Sequence, residues 1–547
     1  MTTFHGPPLE TGANPGALTL GGFLRACAAA HGPREAIVAY KDNGRLSWTY
    51  DDVEQAALRV AAGLIAAGLD PGQRVGLLMG NRPAWVASAF GIALADGVLV
   101  PINTYLEQSE LAYVLAHSEV SFLLMQASLA GHDYVATISA LVGDATLPAL
   151  RRVVCVGLDD PRGSIEPWAA FIHEGSSEAV EARAAAVTPE DDGIIIYTSG
   201  TTAKPKGVLH AHAVPCLQSF RLVRHLGLDA EARSWSAFPL FWTAGFAMVM
   251  GATLAAGGCL VLQERFEPGE ALQLLARERV TTPHAWPHQL GELEEHPDWA
   301  SVDLSAMRHV ESFAPFGRHP TVKVAPNAWS PRAAFGLTET FTIVTSTPAD
   351  APPEIRDRAQ GSILGGNAIR IVDPATGEAL PERAEGEIAI AGIALMKGYL
   401  KVTRDQCFDA DGFFHTGDAG WMDGDGFLHW SGRTSDMIKT SGANVSPIEI
   451  ETELLHHPGL RAAGAVGVPH ATLGQMVVVV AVPHAGSGVD EENVRAFLRG
   501  RIASYKIPRH VIFVREEDLS LTGNQKIRPE DLRALAGARV RASDGDA

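Results

Sequence analysis

Cysteine is scarce in this chain, with five residues in 547 at positions 27, 155, 216, 259 and 407. They are scattered, with no C-x-x-C pair, which excludes a disulfide framework and predicts reduced thiols in a cytoplasmic protein. Positive charge is also short. Lys and Arg number 44 against 63 Asp and Glu, a net charge of −19, which argues against nucleic acid or an anionic membrane surface as partner. No apolar run reaches the length of a membrane span, and the longest, such as residues 475–483, reads as a buried strand. The opening M-T-T-F-H-G-P-P-L-E lacks a basic region followed by an apolar core, so no secretory signal is expected.

What is present is a hydrophobic content of 46% with 20% charged residues, the balance of a soluble globular enzyme. At this length the chain is expected to hold at least two domains. Val53, Ala57, Val60 and Leu64 mark one helix face that Gly68 ends. After it the pattern predicts strands at 74–79, 98–101 and 121–125 alternating with helices at 84–95 and 108–118. Such alternation predicts a mostly parallel sheet with helices on both faces.

Residues 194–208 read I-I-I-Y-T-S-G-T-T-A-K-P-K-G-V. Three isoleucines and Tyr197 end a buried strand, and a run of hydroxyls follows around Gly200, with Lys204 and Lys206 behind it. Small residues let backbone N–H groups approach a phosphate, and the lysines add positive charge. The stretch is not a Walker A loop, which needs G-x-x-x-x-G-K-[ST]. A plain polar surface loop is the alternative, and random loops rarely pack four hydroxyls, two glycines and two lysines after a buried strand.

This order of residues resembles the phosphate loop of the adenylate-forming superfamily, which includes acyl-CoA and aryl-CoA synthetases, nonribosomal adenylation domains and firefly-type luciferases. Ala203 stands where that loop usually has glycine. The resemblance covers nearly the whole chain and implies a fold class: α/β, with a large multi-subdomain N-terminal domain of parallel sheets with flanking helices plus a small β-rich subdomain, and a small mobile α+β C-terminal domain. The implied limits are 1–433 for the N-terminal AMP-binding domain, 434–436 for a hinge and 437–547 for the mobile domain.

The resemblance also implies residue roles. Thr198, Ser199, Gly200, Thr201, Thr202 and Lys206 would cradle the phosphates of ATP. In E-S-F-A-P-F (311–316) the backbone at Ala314 and Pro315 would border adenine. In A-F-G-L-T-E-T (334–340) Phe335, standing where Tyr is usual, would stack on adenine before Gly336. Thr338 and Glu339 would face the phosphates, with Glu339 holding Mg²⁺ as an oxygen ligand. Asp418 in H-T-G-D would accept from both ribose hydroxyls, with Arg433 as its companion. F-P-L-F-W-T-A-G-F (238–246) resembles the acyl-pocket segment, where Trp242 takes the gating position. Phe313 stands where a pocket glycine is usual, so a short, branched or flat acid is expected.

Beyond the hinge, where Ser435 replaces the usual Asp or Lys, L-T-G-N-Q-K-I (521–527) resembles the motif that delivers the adenylation lysine, Lys526, with Gln525 replacing a glycine. Lys439 and Gly442 lie in a segment that would face the site during thioester formation, glycine letting the pantetheine of CoA pass close to backbone. By composition alone Lys526 is a solvated surface lysine.

Other signals have plainer readings. H-x-H at His210 and His212 has no carboxylate or cysteine at ligand spacing and reads as structural. D-G-D-G at 423–426 lacks the acidic last position of a Ca²⁺ loop, where Thr434 stands, and reads as a hairpin turn.

The implied activity is an ATP-dependent acid:CoA ligase working through an acyl-adenylate, with ATP, Mg²⁺ and CoA as cofactors and a small carboxylic acid as substrate. An enzyme loading a separate carrier protein and a nucleotide-binding scaffold without chemistry are the alternatives. The oligomeric state, a homodimer included, stays open.

Overall fold

In a computed structural model of the chain, the described residues are 2–9, 18–41, 44–143, 146–172, 176–198, 204–311, 314–324, 333–347, 359–434, 436–440, 443–470, 473–499, 501–502, 506–515 and 529–544. Two compact units form. The larger comprises His5–Ala368 and Ala391–Phe414, the smaller Met1–Phe4, Ile369–Ile390 and His415–Ala547.

The larger unit holds an eight-stranded sheet in the order Ile165–Pro167, Arg152–Val156, Phe122–Gln126, Arg74–Leu78, Val98–Pro101, Asp192–Thr198, Lys206–Ala211, Gly398–Tyr399. Its pairs are parallel up to Asp192–Thr198 and antiparallel beyond. A five-stranded sheet runs Thr282–His284, Arg233–Ser236, Cys259–Val261, Glu35–Lys41, Gly44–Thr49. The β-α-β alternation expected over 74–125 is present, with helices Pro83–Leu94 and Gln108–Ser118.

Why the helices sit where they do follows from their sequences. Tyr50–Ala66 starts at Thr49, whose hydroxyl accepts from the Asp52 N–H while the Asp52 carboxylate accepts from the Thr49 N–H, a reciprocal cap. Val53, Ala57, Val60 and Leu64 are all buried, as their spacing predicts. Pro83–Leu94 has only Ala84 outside the buried set, so it has no polar face to give to water and lies inside the core. One apolar cluster joins these helices to residues of both sheets, Ile194 and Ile196 from one and Ile37 and Leu260 from the other. Ile195, on the opposite face of its strand, enters a second cluster.

Lys206–Ala211 forms a strand that the sequence reading did not predict, antiparallel to Asp192–Thr198, with Thr198 opposite Lys206. The two strands make a hairpin, and Lys206 opens the second of them. K-G-V-L-H-A is short and begins with Lys and Gly, so its own pattern is too weak to mark a strand; its partner strands supply the pairing.

The smaller unit contains a sheet in the order Phe4–His5, Asn367–Val372, Gly386–Gly392, Phe414–Met422, Leu428–Arg433, which is the expected β-rich region. The D-G-D-G run is a hairpin turn in which the Asp423 carboxylate accepts from the N–H groups of Asp425 and Phe427. The unit also contains the long antiparallel pair Leu460–His470 and Gly474–Pro483, with His510–Phe513 parallel to the second strand. Helices are Pro447–Leu454, Glu491–Leu498 and Pro529–Asp544. The helix Glu491–Leu498 stops at Arg499, whose backbone is already extended. Residues 369–390 and 415–433 belong with this unit by contact, although the sequence reading placed them before a boundary at 434. The Ser446 hydroxyl donates to the Ser431 carbonyl, and Pro447–Leu454 packs on Leu428–Arg433, tying that hairpin to the chain beyond it. No described helix is long and apolar enough to cross a membrane.

Candidate active site

Within the larger unit the hairpin, the A-F-G-L-T-E-T segment and Tyr399 converge. Lys206 Nζ sits 4.8 Å from the centroid of the Tyr399 ring, a cation over an electron-rich face. The Tyr399 hydroxyl donates to Glu339 Oε1 at 2.6 Å, a short charge-assisted bond. Sheet register makes this possible, since Val208 pairs with Tyr399 and Leu209 with Gly398. Lys204 Nζ lies 5.2 Å from the Tyr113 ring, and the Tyr113 hydroxyl donates to the Pro205 carbonyl. Thr198 ends its strand half-buried. Ser199, Gly200, Thr201 and Thr202 lie outside the described residues, as do Phe313, Gly442 and Lys526.

The Glu339 turn is held from several sides. Ala334–Phe335 forms a short strand against Thr345–Ser346, and Phe335 is buried. After it the chain doubles back through Thr338–Thr340 to Phe341 and Thr342, both at positive φ, a conformation held only where the surroundings over-determine it. Gly336 is required here. A Cβ at that position would stand 1.5 Å from the Thr342 carbonyl oxygen. Buried Gln218 donates to the carbonyls of Thr340 and Ile343 at 2.7 and 2.6 Å. His210 Nε2 donates to the Thr338 carbonyl at 2.8 Å. Burial lowers the His210 pKa to about 4, so its ring is neutral at pH 7 and works as a strut. His212 is likewise buried, its Nδ1 accepting from the Leu20 N–H at 3.4 Å. Each histidine thus bonds to a backbone group within the fold.

Trp242 is half-buried, its ring 5.2 Å from Phe241 and 6.2 Å from Tyr105. Ala314 immediately precedes the short helix Pro315–Arg318, and both Ala314 and Pro315 are half-buried. Three residues before Ala314, burial raises the Glu311 carboxyl from 4.5 to about 7. The folded state then holds this proton more tightly than the unfolded chain between those values, so stability falls as pH rises through the window. Glu311→Gln is expected to raise the melting temperature at about pH 8 and leave it nearly unchanged at about pH 5. Thermal melts at the two pH values check this, and an equal offset at both would refute it.

In the smaller unit Asp418 and Arg433 face each other across the hairpin. Arg433 Nε lies 3.2 Å from Asp418 Oδ1, and the Trp430 indole N–H donates to the same oxygen at 3.3 Å. Asp418 is only 3% exposed, so its charge is held by paired donors, as a buried carboxylate requires. Arg433 also donates to the Thr416 carbonyl, and the Glu387 carboxylate accepts from the Gly417 N–H. Lys439 lies on the strand Ile438–Thr440, opposite Asn444. In the stretch 434–436, Ser435 is outside the described residues, while Asp436 pairs with Arg533 at 2.9 Å.

Glu311 and Tyr399 are the residues of interest that sequence reasoning passed over. The partner of Tyr399, Glu339, stands 60 residues away, beyond the reach of local sequence pattern.

The chain matches the AMP-binding enzyme family over residues 24–400 and the AMP-binding enzyme C-terminal domain over residues 449–526. It is similar to a feruloyl-CoA synthase from Amycolatopsis sp, 32% identical over 507 residues, covering 90% of this chain and 95% of the relative. Among solved structures, an anthranilate CoA ligase in complex with anthranoyl-AMP superposes with a TM-score of 0.79 at 23% identity, over 97% of this chain and 100% of that one. An amide bond synthetase from Marinactinospora thermotolerans gives a TM-score of 0.77 at 26% identity, over 94% of this chain and 99% of that one.

Proposed function

Because this chain belongs to the AMP-binding enzymes of the adenylate-forming superfamily, we propose that it joins a carboxylic acid to coenzyme A at the expense of ATP. The observation that carries the reading is the junction of Lys206, Tyr399 and Glu339 beside the ends of the phosphate hairpin.

In the first step a carboxylate oxygen of the acid attacks the α-phosphorus of ATP. The bond from that phosphorus to the bridging oxygen breaks, pyrophosphate leaves, and an acyl-adenylate forms. Thr198, Ser199, Gly200, Thr201, Thr202, Lys206 and Thr338 hold the phosphates, while Ala314, Pro315 and Phe335 receive adenine. Glu339 offers a carboxylate steadied by the Tyr399 hydroxyl, an oxygen donor that would hold Mg²⁺, and the ion would supply positive charge against the phosphates. Lys526 stabilises negative charge developing about the α-phosphate. Trp242 and Phe313 bound a pocket for a short, branched or flat acid.

In the second step the CoA sulfur attacks the acyl carbonyl, its proton is lost, the bond to the phosphate oxygen breaks and AMP leaves. Lys439 and Gly442 serve this half, after the domain 437–547 turns about 434–436 relative to residues 1–433. A carrier-protein thiol in place of CoA is the second reading; likeness to an amide bond synthetase favours an acyl-adenylate open to more than one acceptor. The test is a carboxylate panel with ATP and CoA, scored by AMP formation and by thioester mass. AMP formation that does not depend on CoA would refute the CoA reading.

Asp418 accepts from the ribose hydroxyls, with Arg433 and Trp430 orienting its carboxylate. Asp418→Ala is expected to raise the KM for ATP roughly tenfold to a hundredfold, since a hydrogen bond to a charged group contributes about 1.5–3 kcal/mol. The wild type should also use 2′-deoxy-ATP less well than ATP. Equal use of the two nucleotides would remove the ribose assignment.

A further inference from the structure

Thr282–His284 runs parallel to Arg233–Ser236, with His284 opposite Ser236, so both strands end on the same side of the sheet. The carboxyl ends of parallel strands are where α/β proteins bind ligands. From Ser236 the chain continues into the aromatic segment 238–246 that carries Trp242, and the Ala237 N–H donates to the His284 carbonyl at 2.9 Å. Beyond His284 the backbone is still extended at Trp286, just before the helix Pro287–Glu294. Alternate residues of an extended chain point the same way. Both rings meet Phe238, with centroids 6.2 Å away for His284 and 4.4 Å for Trp286.

Each of these rings carries a polar atom that the protein does not satisfy. Among the described residues, His284 Nε2 and Trp286 Nε1 are shielded from solvent and have no hydrogen-bond partner. His284 as a whole is 9% exposed. Burial lowers its pKa to about 4, so it stands as a neutral imidazole at pH 7. Native proteins satisfy nearly all such atoms, and an exception calls for a reason. Here two of them lie on neighbouring positions of one face, beside the aromatic segment assigned to the acid.

We propose that His284 and Trp286 together grip a hydroxyl group carried by the acid substrate at the end remote from its carboxylate. The indole N–H can only donate, and a neutral imidazole with its proton on Nδ1 accepts at Nε2. A hydroxyl does both jobs at once, its oxygen accepting from Trp286 and its hydrogen going to His284. A carbonyl would satisfy only the indole, and a methyl neither. The Phe238 and Trp286 rings, 4.4 Å apart and tilted by 35°, make an aromatic wall here, and the substrate class is a flat hydroxylated ring acid. This rests on the ligase reading above and narrows its substrate.

The test uses the full chain with matched acids: benzoic, 3-phenylpropanoic and cinnamic acid, each with and without a ring hydroxyl. Binding is read by ligand-observed NMR without ATP, and turnover as kcat/KM for the CoA thioester. The wild type is expected to favour the best hydroxylated acid over its parent by at least about 30-fold, since a site built to bond a hydroxyl rejects analogues lacking it. Trp286→Phe, which keeps the ring and removes the donor, should cut that preference to a few-fold. The parent acid and the KM for ATP serve as internal controls for folding. His284→Leu should do the same, and His284→Gln, which retains an acceptor, should restore part of it. No hydroxyl preference in binding for any pair, or a preference surviving both Trp286→Phe and His284→Leu, overturns the proposal. Discrimination in binding without thioester from any acid would instead uphold the grip and overturn the ligase reading.

Discussion

Lys526→Ala is expected to slow acyl-adenylate formation by on the order of 10²-fold or more, while thioester formation from supplied acyl-adenylate and CoA keeps most of its rate. A preorganised cation acts on charge that appears only as the phosphate bond breaks, so its removal weighs on that half-reaction. The second half involves no phosphorus bond making, and Lys439 occupies a separate motif on the strand Ile438–Thr440. Pyrophosphate release measures the first half, and single-turnover thioester formation measures the second. If both fell equally, or neither fell, the two lysines would not serve separate halves.

Gly336→Ala is expected to reduce adenylation at least about 100-fold and to lower thermal stability as well. The added methyl would meet the Thr342 carbonyl oxygen at 1.5 Å, its carbon at 2.4 Å and the Ile343 Cα at 2.6 Å. These are backbone atoms and cannot rotate away as a side chain would, so the turn itself must shift, and overpacking costs about 1–3 kcal/mol even in favourable cases. Glu339 rides on that turn, and its Tyr399 bond leaves little slack at 2.6 Å. Glu339→Gln gives the comparison. It should impair adenylation with little change in melting temperature, because it alters charge without displacing backbone. A Gly336→Ala protein with wild-type melting and wild-type pyrophosphate release would show that the turn can relax.

Much of this protein is legible in its sequence. Helix Tyr50–Ala66, helix Pro83–Leu94 and the strands between Arg74 and Gln126 follow from apolar period, caps and turn residues, which are local signals. The superfamily follows from several short motifs standing in one order along most of the chain, and the family matches over 24–400 and 449–526 agree. The tertiary structure decided which distant residues meet. Tyr399 reaches Glu339 because its short strand pairs with Val208 and Leu209. His210 reaches the Thr338 carbonyl across 128 positions of sequence, and the partnerless nitrogens of His284 and Trp286 lie by Phe238. Composition and periodicity describe which face of an element is apolar; they carry no information on strand register across a sheet. Register and packing therefore set the long-range polar contacts at the site, burial in that packing lowers the pKa of His210, and the tight turn back to Thr342 requires glycine at 336.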